Sequence, residues 1–248
     1  MTEAIYEHIG REYRSTRHAD PRISQAIRQA LGDAKSIVNI GAGAGSYEPA
    51  DLTVVPVEPS TTMIQQRPTS LARAVPGSAE ALPLPSSSVD AALAVLTVHH
   101  WSDRPRAFAE IRRVARKRAV FFTHDPSAGF AWLDDYFPTF RIESARRYPG
   151  LSEFDGLGGR IEAIPVPIPA DCTDGFTGAY WRRPDLYLDP KIRANMSTFA
   201  LLEADAVEEG VQALGRDLSN QTWHRRYADL LELSELDAGY RIVRAEFA

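Results

Sequence analysis

The chain has 248 residues, with 28 lysines and arginines against 33 aspartates and glutamates, a formal net charge of −5. That balance argues against a general nucleic-acid binder, which shows a basic excess, and the single cysteine, Cys172, excludes an intrachain disulfide framework and a multi-cysteine metal site. No apolar run approaches the ~20 residues of a membrane span and the N-terminus carries no signal-peptide core, so a soluble, cytoplasmic protein is expected, with no metal, nucleic acid or membrane as partner.

Tyr6, Ile9 and Tyr13 recur at helical spacing and predict a short N-terminal helix. In "DPRISQAIRQALG" Asp20 can cap, Pro21 suits the first helical position, and Ile23, Ile27, Ala30 and Leu31 share a face before Gly32 stops the helix. "SIVNI" reads as a buried strand and "LTVVPVE" as another, in which Pro56 hints at a bulge or a strand end. "STTMIQQRP" predicts a short helix capped by Ser60, and "LARAV" a weak strand. The apolar run in "SVDAALAVLTV" suits a central parallel strand buried on both faces. "SDRPRAFAEIRRVARK" predicts a helix capped near Ser102 or Asp103, with Phe108, Ile111, Val114 and Ala115 inward and its basic run on the outer face, and "RAVFFTHD" the next strand. This alternation is the pattern of a doubly wound α/β sheet.

After Asp125 the regularity fades. "RIEAIPVPIP" and "YRIVRAEF" predict two further strands whose polar alternation suits sheet-edge positions, with helices near 199–214 and 223–233 between them. An insertion this long between two strands commonly serves as a lid. One domain is expected: N-terminal helices over 1–35, a core over 36–125, a lid or substrate-side region over 126–239 with one sheet strand near 160–168, and a last strand over 240–248.

The most informative stretch is "SIVNIGAGAGSYEP". A glycine-rich turn behind a strand lets the backbone approach a ligand and aims amide N–H groups at it. Gly41, Gly43 and Gly45 are spaced wrongly for the dinucleotide fingerprint, and there is no lysine for a P-loop. Glu58 closes the second strand, where a carboxylate can accept from both hydroxyls of a ribose, and "SAEALPLP" and "VHHW" follow downstream.

This combination resembles the class I S-adenosylmethionine (SAM) dependent methyltransferases, in particular their small-molecule branch with a Gly loop, an acid, "D-A-E-x-L-P-F" and "L-H-H-W". The likeness covers roughly Ile37 to Asp125, and it implies a Rossmann-like sheet of about seven strands, mostly parallel, with an antiparallel C-terminal strand. It further implies SAM as cofactor and methyl transfer to a small molecule by a monomer or homodimer. Gly41, Ala42, Gly43 and Gly45 would turn under the methionine part, Glu58 would bind the ribose, and Pro59 and Met63 would follow it. Ser78, Ala79 and Glu80 would lie at the adenine, and Val95 would line the pocket. Tyr13 would place its ring near the sulfonium and Arg17 would pair with the SAM carboxylate.

Three positions depart from the family pattern. The acid usual two residues before the first glycine is Asn39, which can still accept through its amide oxygen, and the acid usual at the adenine step is Ser78. The spacing from Gly41 to Glu58 predicts that the intervening helix shrinks to the turn "SYEPAD". These departures keep two alternatives open: a SAM-binding enzyme that does not transfer methyl, and a non-catalytic ligand- or partner-binding protein.

His99, His100 and His124 stand at the ends of two strands, at the ligand-binding edge of such a sheet, where one could serve as a base if the acceptor must lose a proton. Equally they could pack structurally, as Trp101 would against the following helix. His100, Trp101, Tyr180, Trp181 and Arg182 are the candidate acceptor-binding residues. The segment around the last three could instead fold its aromatic residues onto the core, and Cys172 reads as a buried residue without a catalytic partner.

Overall fold

The computed structural model describes residues 17–247; the expected helix through Tyr6 and Tyr13, and Tyr13 itself, lie outside them. Among the described residues nine strands form, β1 Ser36–Ile40, β2 Thr53–Glu58, β3 Val75–Pro76, β4 Val89–Val95, β5 Ala115–His124, β6 Arg160–Pro165, β7 Ile168–Pro169, β8 Glu235–Leu236 and β9 Tyr240–Glu246. Seven of them make one sheet in the order β3-β2-β1-β4-β5-β9-β6. β1 to β5 pair in parallel, and β9 runs antiparallel to both β5 and β6.

The helices start where their caps stand. Asp20 accepts from Arg22 N at 2.9 Å to open the Pro21–Leu31 helix, Ser60 accepts from Met63 N at 3.2 Å to open Thr61–Gln65, and Asp103 accepts from Arg106 N at 3.0 Å to open Arg104–Val114. Alternate residues of the central strands feed two cores. Ile37, Leu93, Phe122 and Ile242 join Ile23 and Ile27 on one face, while Val38, Ala94, Phe121 and Val243 join Phe108 and Ile111 on the other. Burial on both faces is why β4 reads as a continuous apolar run.

Several expectations are corrected. Pro56 sits at neither a bulge nor a strand end: the β1–β2 register runs without a break through Asn39↔Pro56. Thr53 N donates to Lys35 O and Gly41 N to Val57 O, so by strand alternation the missing N–H of Pro56 falls on the β3 side, and β3 pairs only with Val57 and Glu58. β9 is not an edge strand but lies between β5 and β6. Its polar positions are arginines that reach outward, Arg241 to Asp237 at 2.6 Å and Arg244 to Glu162 at 2.7 Å. β6 is the edge and ends at Pro165, because Ile168–Pro169 pairs instead with Glu235–Leu236 in a separate two-stranded sheet. Ala115 belongs to β5, and the two late helices form as Ala204–Ser219, Thr222–Arg226 and Ala228–Leu231.

Residues 41–52 run as turns, as the short spacing to Glu58 predicts. Much of 126–239 packs on the first core, where Trp132 meets Trp223 and Tyr187 edge-on with ring centroids 5.2 and 5.5 Å apart, while Phe154 and Leu157 pack on the second. Among the described residues no helix is long and apolar enough to cross a membrane.

Candidate functional site

All three loop glycines take positive φ, 65° at Gly41, 50° at Gly43 and 88° at Gly45. Gly41 N and Ala42 N donate to Val57 O at 2.9 and 3.0 Å, fastening the loop to the end of β2. A Cβ on Gly41 would stand 2.2 Å from Thr97 Oγ1, whereas one on Gly43 would meet only Met63 Cε, at 3.3 Å. Gly41 therefore admits the chain after β4, and Gly43 admits the tip of Met63.

Glu58 is bound into the same unit, its Oε2 accepting from Gly43 N at 2.7 Å and its Oε1 from Ser60 N at 2.9 Å. Buried Met63 floors the loop and Pro59 stays exposed. A glycine cradle with an oriented carboxylate at its rim fits the methionine and ribose parts of SAM. Asn39 is buried and donates through Nδ2 to Glu48 Oε1 at 3.0 Å.

Where the adenine is expected, Ser78 O accepts from Ala81 N at 3.2 Å in a tight turn, and Ala79 is buried. Glu80 turns one carboxylate oxygen to the start of the next helix. Its Oε1 accepts from Ser102 N, Ser102 Oγ and Asp103 N at 2.9, 3.0 and 3.3 Å, which fixes the entry to the Arg104–Val114 helix. Burial pushes its pKa up, but these hydrogen bonds outweigh burial and hold the carboxylate below its ordinary range.

Half-buried Val95 ends β4, and the next residue, Leu96, bends the chain with a φ of 49°. A short 3₁₀ turn, Val98–His100, follows. His99 is 8% exposed and lines a small cavity of about 20 Å³ with Arg17, Leu96, Tyr148, Phe176, Met196 and Tyr240 among its walls. Its ring stacks on Tyr148 with centroids 4.3 Å apart, and neither ring nitrogen has a hydrogen-bond partner among the described residues. Burial, with the nearby His100 and Arg147, pushes its pKa well below that of an ordinary histidine. His100 packs against His99 at 3.9 Å, and burial beside Arg147 pushes it down to about 4.

The other candidates fall elsewhere. His124 does not face the cleft with open nitrogens: Nε2 lies 3.0 Å from Gly129 O, Nδ1 lies 3.5 Å from Ser144 Oγ, and the ring stacks on Phe130 at 4.1 Å. Trp101 packs edge-on against Phe108 and Phe121, as a core residue under the following helix. Trp181 is buried with its indole N–H on Ile168 O at 2.8 Å, Tyr180 lies beneath the Arg183 guanidinium at 4.8 Å, and exposed Arg182 reaches Leu233 O at 3.1 Å. None of these three lines the His99 cavity. Cys172 is buried and its thiol is pushed up to about 12 by burial, an inert side chain.

Arg17 is at the cavity, but its guanidinium is held by Asp174, Nε at 2.6 Å and Nη2 at 3.3 Å. Fully buried Asp174 also accepts from Tyr47 Oη at 2.8 Å, so one carboxylate joins the segment before the Pro21–Leu31 helix, the turn after the glycine loop and the chain around 174. Burial beside Asp174 pushes the Tyr47 hydroxyl well above its ordinary pKa and keeps it a neutral donor. Sequence reasoning missed Tyr148 and Tyr240, which belong to no motif, and passed over Tyr47 although it stands in the glycine-loop stretch. Asp174 offered a signal as an acid inside an aromatic-rich segment.

Residues 38–123 match the family model described as a methyltransferase domain. A candidate methyltransferase from an antibiotic biosynthesis pathway of Anabaena variabilis is 38% identical, with 94% of this chain and 99% of that one covered and a TM-score of 0.86. A Thermotoga maritima SAM-dependent methyltransferase shares the fold at 18% identity, with 97% and 95% covered and a TM-score of 0.57. The uncharacterized methyltransferase YcgJ of Bacillus subtilis is 31% identical over 136 residues, 49% of this chain, so the match spans about half (54%) of that curated relative. With the sheet order, the glycine cradle and a near full-length relative all agreeing, the chain belongs to the class I SAM-dependent methyltransferases.

Proposed function

We propose that the 248 residues act as one cytoplasmic methyltransferase domain, monomeric or homodimeric, that methylates a small molecule beside His99. When bound, SAM supplies a methyl group on a sulfonium cation, open to in-line displacement by a lone pair. The protein's part is to hold the acceptor in line and dry.

The observation that carries this reading is His99, buried and neutral, with both ring nitrogens unpartnered among the described residues in a cavity at the carboxyl end of β4. A neutral imidazole offers one acceptor and one donor nitrogen. A hydroxyl or amine acceptor would donate to the first, which aims its own lone pair at the methyl carbon. The desolvation that keeps His99 neutral disfavours a lasting imidazolium, so His99 orients the acceptor and passes its proton on to solvent as the sulfonium becomes neutral S-adenosylhomocysteine. Tyr148, Phe176 and Tyr240 would flank the acceptor and exclude water. About 20 Å³ holds one water, so entry requires the wall of Phe176–Thr177 and Met196–Ser197 to draw back. The 2.8 Å hydroxyl contact between Thr177 and Thr198 is a latch for that wall.

The test is methylation of a panel of phenols, amines and carboxylates by the wild-type chain and by His99→Phe. His99→Phe is expected to keep its SAM affinity and to lose turnover by about 10²-fold on hydroxyl or amine acceptors. Turnover on carboxylates alone, with His99→Phe as active as wild type, would refute the reading.

A further inference from the structure

Beside the glycine loop lies a buried ion pair that methyl transfer itself does not call on. The side chains of Glu48 and Arg67 are 3% and 4% exposed, and Arg67 Nη2 reaches both carboxylate oxygens, at 3.0 and 2.8 Å. Glu48 Oε1 also accepts from Asn39 Nδ2 at 3.0 Å. Arg67 continues to the loop, donating from Nη1 to Gly43 O at 3.2 Å, and it anchors itself on Ala72 O at 3.3 and 3.0 Å. The end of β1, the turn that stands where the family has a helix, and the chain after Thr61–Gln65 thus converge on one carboxylate.

We propose that Glu48 supplies, from the far side of the glycine loop, the carboxylate that the family usually carries at position 39, with Arg67 as the strut that transmits its position to Gly43. The inference rests on SAM being the cofactor. It makes Glu48 and Arg67 positioning residues for SAM binding.

Three observations converge on this. First, asparagine is the residue the arrangement needs at position 39. Its Nδ2 donates to Glu48, whereas an aspartate there would bring two carboxylates to about 3 Å in a buried place. Second, Asn39 Nδ2 is committed to Glu48 while Asn39 Oδ1 has no donor among the described residues, so Glu48 sets the orientation of the amide and leaves its acceptor open. Third, Glu48 reaches this position only because residues 41–52 form turns, with Glu48 N on Gly45 O at 3.4 Å. The lost helix and the lost acid are then one change and not two.

The test moves the charge. Affinity for S-adenosylhomocysteine is measured by calorimetry, with thermal unfolding alongside, for wild type, Glu48→Gln, Asn39→Asp and the double variant Asn39→Asp/Glu48→Gln. The two single variants are expected to bind about tenfold more weakly, one for want of the carboxylate and one through repulsion. The double variant, with the same charge and an amide–carboxylate pair in reversed order, is expected to return to within about threefold of wild type. Glu48→Gln binding as tightly as wild type would overturn the proposal. So would a double variant no tighter than Asn39→Asp, a comparison that stands even if Glu48→Gln folds poorly. A purely structural ion pair would lower the melting temperatures and leave affinity unmoved. Failure of the wild type to bind would refute the cofactor assignment itself, and the proposal with it.

Discussion

Asp174→Ala probes the junction on which the closed site depends. The carboxylate is fully buried and takes Arg17 Nε at 2.6 Å, Arg17 Nη2 at 3.3 Å, Tyr47 Oη at 2.8 Å and Gly175 N at 2.7 Å. Alanine removes all four bonds and leaves a guanidinium facing a small void. Deleting one partner of a buried ion pair costs about 3–5 kcal/mol. In a chain of this length each kcal/mol moves the melting temperature by about 2–4 °C, so a fall of roughly 6–20 °C follows. Arg17 has further interactions that survive the change, which favours the lower half of that range. Circular dichroism melts at pH 7 read the stability. Calorimetry with S-adenosylhomocysteine reads the cofactor loop, where weaker binding is expected because Tyr47 loses its acceptor. Asp174→Asn keeps an oxygen for Tyr47 and should fall less. A shift under about 2 °C for Asp174→Ala would refute the argument that Asp174 ties these segments together.

Glu58→Ala frees the amides of Gly43 and Ser60 as well as removing the proposed ribose partner, so S-adenosylhomocysteine affinity should drop by about a hundredfold; unaltered affinity would remove Glu58 from the cofactor site. Acid should destabilise the fold through its histidines. Burial holds His100 and His124 down to about 4 and His99 well below its ordinary value, while the unfolded chain takes up these protons near pH 6.5. Stability is therefore full above pH 6.5 and falls as pH drops toward 4, by up to about 1.4 kcal/mol per pH unit for each histidine. Urea midpoints between pH 7.5 and 5 measure this, and midpoints that stay flat would contradict it.

What the sequence discloses is local. Asp20, Ser60 and Asp103 could be read as caps because a cap acts within three residues of itself, and β4 as central because both its faces are apolar. The glycine loop and Glu58 were legible for a similar reason, as a strand end and a turn joined by a fixed spacing. The misplacement of β9 has a physical cause. Arginine stems lie along a sheet while their heads reach acidic partners, Arg241 to Asp237 beyond the strand and Arg244 across to Glu162 on β6, so both imitate an edge pattern. Long-range side-chain partners were beyond reach altogether. Nothing near Arg17 announces Asp174, and Glu48 gives no sign that it answers for Asn39. His124 looked available because it ends a strand, yet Gly129 and Ser144 fold back over both of its nitrogens.

Pro56 has a consequence for the behaviour of whole molecules. An edge strand with free amides is a template on which another chain can extend the sheet. Here the missing N–H on the β3 side of Pro56, and β3 itself only two residues long and ending in Pro76, leave that edge a poor template. The opposite edge, β6, carries Arg160 and Glu162 and closes on Pro165. Both rims of the sheet are thereby poor templates for edge-to-edge aggregation.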